Sequence, residues 1–238
     1  MRMRKKKNLD VRFAACEPVL AHAPESCKGH WRDVFGNENP IHLEIGCGKG
    51  QFILGMAAKY PEINFIAIEK EEGALIMATE KAVAQNLPNL KFLSYDAALL
   101  ESIFAPGEIS RIYLNFSDPW PKNGQRKRRL THSGFLKIYD TILAPYGQIH
   151  FKTDNQRLFE WTLAEICRYG LLMQNICLNL HASDFDNIQT EYEERFSAMG
   201  MPIYRLEAFR RGEIPEGSLK AEYREEELES SAAPTEEA

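Results

Sequence analysis

Ile41 to Lys59 reads IHLEIGCGKGQFILGMAAK. A short run of β-formers, Ile41 to Ile45, passes directly into a glycine turn made of Gly46, Cys47, Gly48, Lys49 and Gly50. Gln51 to Lys59 then places apolar side chains at helical spacing and stops at Tyr60 and Pro61. Strand, glycine turn and helix in that order form the opening unit of an α/β sheet that holds a nucleotide-type ligand. The spacing is GxGxG and lacks the extra residue of the dinucleotide fingerprint, so this stretch alone leaves the ligand open.

Outward from it, strands are predicted at Asn64 to Ile68, Leu90 to Leu93, Ile112 to Phe116, Gly147 to Phe151 and Met173 to Leu180. Helices are predicted at Glu72 to Gln85, Thr131 to Leu143 and Arg157 to Tyr169. Alternation of this kind specifies a doubly wound, mostly parallel sheet. No internal repeat and no separate second domain is visible. The reading is an N-terminal arm over 1–38 with a short helix near Trp31, one domain over 39–215, and an acidic, disordered tail over 216–238.

Four predicted strands carry an acid at or near their carboxyl end: Glu44, Glu69, Asp96 and Asp118. Glu69, 19 residues beyond Gly50, is placed to accept both hydroxyls of a ribose. Asp96 suits the exocyclic amine of an adenine, and Glu44 suits an ammonium. Ribose, adenine and positive charge without phosphate describe S-adenosylmethionine. Two other readings stay open here: NAD, with Lys49 helping a pyrophosphate, and a ligand-free sheet whose acids merely cap turns.

Ile112 to Arg129, IYLNFSDPWPKNGQRKRR, sets Asp118 in a rigid turn. Pro119 and Pro121 bracket Trp120 and restrict its neighbours. Lys122, Arg126, Lys127, Arg128 and Arg129 follow without an intervening acid. The formal net charge of -5 does not point to nucleic acid, but it averages a basic Met1 to Lys7, this basic run and an acidic Glu222 to Ala238. The local patches therefore decide. Five scattered cysteines without a CxxC pair indicate a reduced, cytoplasmic protein. Cys16, His22, Cys27 and His30 fit no standard zinc spacing, so no metal is expected. No apolar run approaches the roughly 18 residues of a membrane span, and no signal peptide is visible.

Glu44 to Gly50, Glu69, Asp96, Asn115 to Lys122 (NFSDPWPK), Lys127 to Leu130 (KRRL), Thr153 to Asn155 (TDN) and Thr190 to Phe196 (TEYEERF), with Gly200, Pro202 and Ile203, closely resemble the bacterial tRNA (guanine-N7)-methyltransferases. The resemblance covers about residues 40 to 210. It implies a Rossmann-like class I fold and S-adenosylmethionine-dependent methylation of N7 of the guanine at position 46 of tRNA. It implies a catalytic role for Asp118. Glu44, Gly46, Gly48, Gly50, Glu69, Asp96 and Asp118 fall at its cofactor positions. Lys122, Asp154, Thr190, Glu191, Tyr192 and Glu193 fall at its substrate positions, and Asn123, Gly124, Gln125, Arg126, Lys127 and Arg128 match its RNA-facing loop. A monomer and a homodimer are both compatible. This sequence departs from the family at Ser117, where proline is usual, and near Gly124 and Gln125, where a bulkier basic or His residue is usual.

The chemistry agrees with the residues. Guanine N7 is a lone pair without a proton, so attack on an activated methyl requires alignment and negative surroundings, not a general base or a metal. Asp118 can orient the base or stabilise its positive charge; Asp154 and Glu193 offer further acceptors, and Thr190 and Tyr192 offer hydroxyls. Trp120 reads equally as a stacking platform for a splayed base and as a hinge indole. Thr190 to Glu193 also has capping-box spacing. The basic run, Arg129 included, is expected to hold phosphates. A methyltransferase for a small molecule or protein, and a non-enzymatic RNA-binding module, are the competing classes. The cationic run beside Asp118 speaks against the first, and the strand-end acids speak against the second.

Overall fold

The computed structural model describes residues 7–213. The basic residues before Lys7 and the acidic tail lie outside them. Seven strands form one sheet in the order β3-β2-β1-β4-β5-β7-β6. They are β1 Ile41–Ile45, β2 Asn64–Ile68, β3 Leu90–Leu93, β4 Ile109–Asn115, β5 Leu143–Thr153, β6 Leu172–Cys177 and β7 Tyr204–Phe209. β1 to β5 pair in parallel, and β7 runs antiparallel between β5 and β6.

The helices are α1 Leu9–Ala15, α2 Trp31–Phe35, α3 Gln51–Lys59, α4 Glu72–Gln85, α5 Leu100–Ile103, α6 Ser133–Ile142, α7 Gln156–Tyr169 and α8 Glu191–Ser197. β1 and β2 are buried on both faces, as parallel strands covered by helices must be. Side chains of β2 alternate between two cores. Phe65 and Ala67 pack with α3 and α4, while Ile66 and Ile68 pack with α5, α6 and α7. α4 starts where the Glu71 carboxylate accepts from the Ala74 N–H at 2.7 Å, and α7 where Asn155 accepts from Leu158 at 2.9 Å.

Three strands differ in extent from the sequence reading, and α6 is shorter, Ser133–Ile142. β4 starts at Ile109, with a register shift against β5 between Ile109 and Arg111. β5 starts at Leu143 and bulges through a left-handed Tyr146, so the alternation from Gly147 onward showed only its second part. β6 ends at Cys177, short of the expected Leu180, whose backbone instead joins a short turn closed by Ile203. β7 was not anticipated at all.

Residues 7–38, read as an arm, are packed on the sheet. Arg12 grips Glu80 of α4 through two 2.7 Å bonds. Trp31 is fully buried, and its indole N–H donates to the Ile103 carbonyl at 2.7 Å. Truncating a buried indole removes both transfer energy and a satisfied bond. Trp31→Ala is therefore expected to lower unfolding stability by about 3–5 kcal/mol. Urea denaturation checks this; a change within about 0.5 kcal/mol, typical of surface positions, would show that the segment is peripheral.

Candidate active site

The strand order reverses between β1 and β4, which opens a crevice at the carboxyl ends of these strands. A cleft of about 700 Å³ lies there. Gly46, Glu69, Asp96, Asn115, Asp118 and Trp120 stand in its wall, so the ends of four separate strands meet in one cavity. Glu69 accepts from the Gly48 N–H and from the Glu71 N–H, each at 2.9 Å, and so ties the glycine turn to β2. Asp96 accepts from Ala98 N–H at 2.9 Å and from Lys70 at 2.7 Å; the lysine bond holds its carboxyl below the usual range.

Glu44 sits behind this wall, 1% exposed. One oxygen accepts from the Asn115 amide at 2.8 Å, and Oε2 has no hydrogen-bond partner among the described residues. Burial pushes its pKa up to about 7. The glycines divide their work. Gly46 and Gly48 are left-handed and face open space, whereas a Cβ on Gly50 would stand 2.8 Å from the Ala78 Cβ. Gly50 is therefore required by packing of the turn against α4.

Asp118 is exposed and lies between two strained residues, Phe116 at φ 52° and Trp120 at φ 40°. Bulky side chains rarely adopt this conformation, and here it turns the chain sharply out of β4. Arg129 holds the turn: its guanidinium donates to the Pro119 carbonyl at 2.9 Å and to the Trp120 carbonyl at 3.1 Å, and rests on the Trp161 ring. Arg129, expected to hold phosphate with the rest of the run, thus commits two of its five N–H donors to this turn. Lys122, Asn123, Gly124, Arg126, Lys127 and Arg128 are exposed on a short helical turn, with Gln125 half-buried. Arg128 covers the Trp120 ring at 4.9 Å.

The segment from Thr190 to Glu193, from far along the chain, packs against the cleft wall at Phe116. Thr190 accepts from the Glu193 N–H at 2.9 Å and caps α8. The Tyr192 ring lies 5.1 Å from Phe116, and its hydroxyl donates to Asp154 at 3.2 Å. Glu191 accepts from Lys81 at 2.7 Å and from the Gln51 N–H at 3.3 Å, linking α8 to the start of α3. Glu193 differs from expectation. It is fully buried and accepts from Lys152 at 2.7 Å and from Asn187 at 2.6 Å, so it is an internal anchor, not an open acceptor for substrate. Sequence reading missed Lys152, 6% exposed at the end of β5. The signal was a lysine directly after a buried strand.

Known proteins match this chain along most of its length. A family model described as "Putative methyltransferase" matches residues 38–206. The tRNA (guanine-N(7)-)-methyltransferase of Listeria welshimeri is 53% identical, covering 87% of this chain and 98% of that protein. That of Bacillus licheniformis is 50% identical with the same coverage, and that of Streptococcus uberis 49% identical, covering 88% and 100%. The chain belongs to the tRNA (guanine-N7)-methyltransferase family. Among solved structures, the 16S rRNA methyltransferase KamB has a TM-score of 0.57 at 14% identity, covering 76% of this chain and 91% of that one. The 16S rRNA (adenine(1408)-N(1))-methyltransferase of Catenulisporales acidiphilia, solved with cosubstrate SAM, has a TM-score of 0.57 at 15% identity, covering 82% and 95%. At these identities the likeness speaks for the fold: an α/β, Rossmann-like methyltransferase sheet.

Among the described residues of this family member, no helix is long and apolar enough to cross a membrane, and no cluster of three or more His, Cys, Asp or Glu could hold a metal. Lys152 and Glu193 form the buried pair that docks the 190–193 segment. Removing one partner leaves the other charge buried and uncompensated. Lys152→Met is expected to destabilise the protein by about 3–5 kcal/mol, and Lys152→Met with Glu193→Leu to recover most of that loss. Equilibrium unfolding of both variants decides; equal losses in single and double variants would remove the pairing argument.

Proposed function

We propose that this chain transfers the methyl group of S-adenosylmethionine to N7 of the guanine at position 46, in the variable loop of tRNA. One observation carries the reading: an exposed carboxylate, Asp118, held by a strained turn in the cleft and followed immediately by an exposed cationic run. The proposed catalytic unit is 39–215, with the preceding segment packed against it.

The residues present fit the donor. The Glu44 Oε2, buried and unpartnered, suits an ammonium. Gly46 and Gly48 leave open space along the cleft, Glu69 retains acceptor capacity for ribose hydroxyls, and Asp96 suits the adenine amine. When bound, the donor supplies a methyl already activated on a sulfonium. The chain supplies alignment.

A base paired in A-form RNA hides N7 in a deep, narrow groove, so the target is a splayed loop guanine. In this reading Trp120 offers it a face in the cleft wall, and Asp118 accepts from its N–H donors and stabilises the positive charge that N7 alkylation creates. Asp154, Thr190 and Tyr192 approach from the opposite side. Glu191 acts one step removed, joining this segment to the glycine turn. Lys122 and the loop Asn123, Gly124, Gln125, Arg126, Lys127 and Arg128 hold backbone phosphates. Ser117 occupies the strained turn without removing any of these groups, and Gly124 lies in open space.

The decisive assay supplies labelled S-adenosylmethionine to unmodified tRNA transcripts, with a control in which the variable-loop guanine is adenine. Label is expected only in the first. Asp118→Ala is expected to reduce transfer by at least about 100-fold, the scale of removing a transition-state charge partner, while donor affinity changes little. Retained transfer in that variant would sink the role given to Asp118.

A second expectation concerns pH. Glu44 has a pKa near 7 when folded, against 4.5 ordinarily, so without donor its contribution to stability declines as pH rises from about 4.5 through about 7. An ammonium requires the ionised form, so donor binding releases a proton below pH 7. Donor affinity should fall about tenfold per pH unit below 7. Calorimetric titration at stepped pH tests this, and Glu44→Gln should flatten the profile; a flat wild-type profile would exclude Glu44 as the ammonium partner.

A further inference from the structure

A second cavity, of about 370 Å³, lies on the opposite side of Asn115 from the cleft, over the face of β4, β5, β7 and β6. Cross-strand register builds its floor. Arg111 faces Gln148, Tyr113 faces His150, His150 faces Glu207, and Glu207 faces Gln174. Apart from Tyr113, every position on this stripe is polar, although doubly wound sheets normally present apolar side chains to covering helices. The residues between them, Ile112, Ile149 and Phe151, point into the other core. The roof is the segment from Phe185 to Ile188.

The charges along this cavity are paired with one exception. Lys152 pairs with Glu193, Arg205 with Glu207, and Lys59 with Asp186. Arg111 takes part in none of these pairs, and its Nε is buried without a hydrogen-bond partner among the described residues. The same is true of Oε1 of Gln174, whose amide nitrogen donates to Glu207 at 2.9 Å. Beside Gln174 the rim holds Asn175 in a left-handed conformation at φ 51°, inside a register shift between β6 and β7. Strain and a bulge at a cavity rim are features that aim side chains.

We infer that this cavity is a second ligand site, taking a small molecule that offers one oxyanion, carboxylate or phosphate, to Arg111 and a hydrogen-bond donor to Gln174. Arg111 is half-buried, its Nε is enclosed without a hydrogen-bond partner, and no carboxylate pairs with it among the described residues, so an oxyanion is its natural complement. The volume falls within the range of small-molecule sites. His42 and His150, which adjoin Arg111 through Tyr113, are held neutral by burial and by Arg111 itself, so they do not compete with the ligand as cations.

The test uses the full chain carrying Arg126→Ala, Lys127→Ala and Arg128→Ala, which silences the exposed basic loop as an anion sink. Inorganic phosphate and glycolate are titrated separately, followed by phosphorus or carbon NMR and by melting temperature. At least one is expected to bind saturably and raise the melting temperature. Adding Arg111→Gln should weaken that binding by on the order of tenfold or more, the scale of losing one charge-assisted pair. Without anion, Arg111→Gln should melt no lower than its parent, since it removes an unpaired charge. Gln174→Leu, which leaves Arg111 in place, should weaken glycolate more than phosphate if the donor contact is real. Phosphate alone binding would assign a phosphorylated ligand, glycolate alone a carboxylate. Saturable binding of neither, or equal binding after Arg111→Gln and Gln174→Leu, would overturn the site and leave a cavity filled by solvent.

Discussion

The ion pair between Lys152 and Glu193 is the contact on which the arrangement of the cleft depends. Both groups are buried, and taking them from water costs several kcal/mol each before their attraction is counted. The surroundings offset this by saturating them. Lys152 also donates to the Asn187 side chain at 2.9 Å and to the Ile188 carbonyl at 3.0 Å, and Glu193 accepts from Asn187 and lies 3.2 Å from His181. Every hydrogen-bond and ion-pair partner named here lies in the stretch between 181 and 193, and Phe52 of α3 adds its ring 5.0 Å from the Lys152 ammonium. One lysine at the end of a central strand thus organises a long irregular connection, seats α8, and carries Thr190 and Tyr192 to the mouth of the cleft. Without it the segment has few apolar contacts of its own, chiefly Ile188 against α3.

The opposite wall is held by strain. Left-handed Phe116 and Trp120 cost about 1–3 kcal/mol each in isolation. Arg129 offsets this with two carbonyl contacts, and the Phe116 N–H extends the β4 ladder to the Lys152 carbonyl at 2.8 Å. The same residue, Lys152, therefore contributes its side chain to one wall and its backbone to the other. Tyr192 closes the circuit by resting on Phe116. Asp118 projects from a turn fixed on both flanks, which sets where its exposed carboxylate starts from.

Much of this was legible in the sequence because the signals are local. β1, β2 and β3, α3 and α4 fall at the residues their composition predicts, since a buried parallel strand is a short apolar run and its helix follows a glycine or acidic turn. The acids at strand ends needed only those boundaries. β7 was hidden because it follows α8 and an irregular stretch and pairs antiparallel, outside the expected strand and helix alternation. The arm was misjudged for a related reason: Trp31 is buried by α5 and Glu108, about 70 residues away, and nothing adjacent announces it. Glu193 and Arg129 were read as ligand groups because an exposed and a buried charge look alike in a sequence. Their partners, Lys152 in one case and two backbone carbonyls and Trp161 in the other, exist only after folding.

The carboxylates along the cleft are set apart by environment, and that separation matches what the proposed reaction demands. Methyl transfer to a neutral ring nitrogen moves the sulfonium's positive charge to the base, while the donor's ammonium stays charged throughout. Negative groups are wanted at the ammonium and at the base, but of different kinds. At the donor end the charge is present before reaction, and a deeply buried Glu44, near neutral pH in its titration, answers a cation only when one arrives. At the base the charge appears only during reaction, and an exposed Asp118 on a rigid turn stands in the cleft wall in advance, so little backbone reorganisation is needed as the charge develops. Exchanging the two environments would remove the fit at both ends: a buried carboxyl facing the base would stand partly protonated, and an exposed one facing the ammonium would bind it weakly through water.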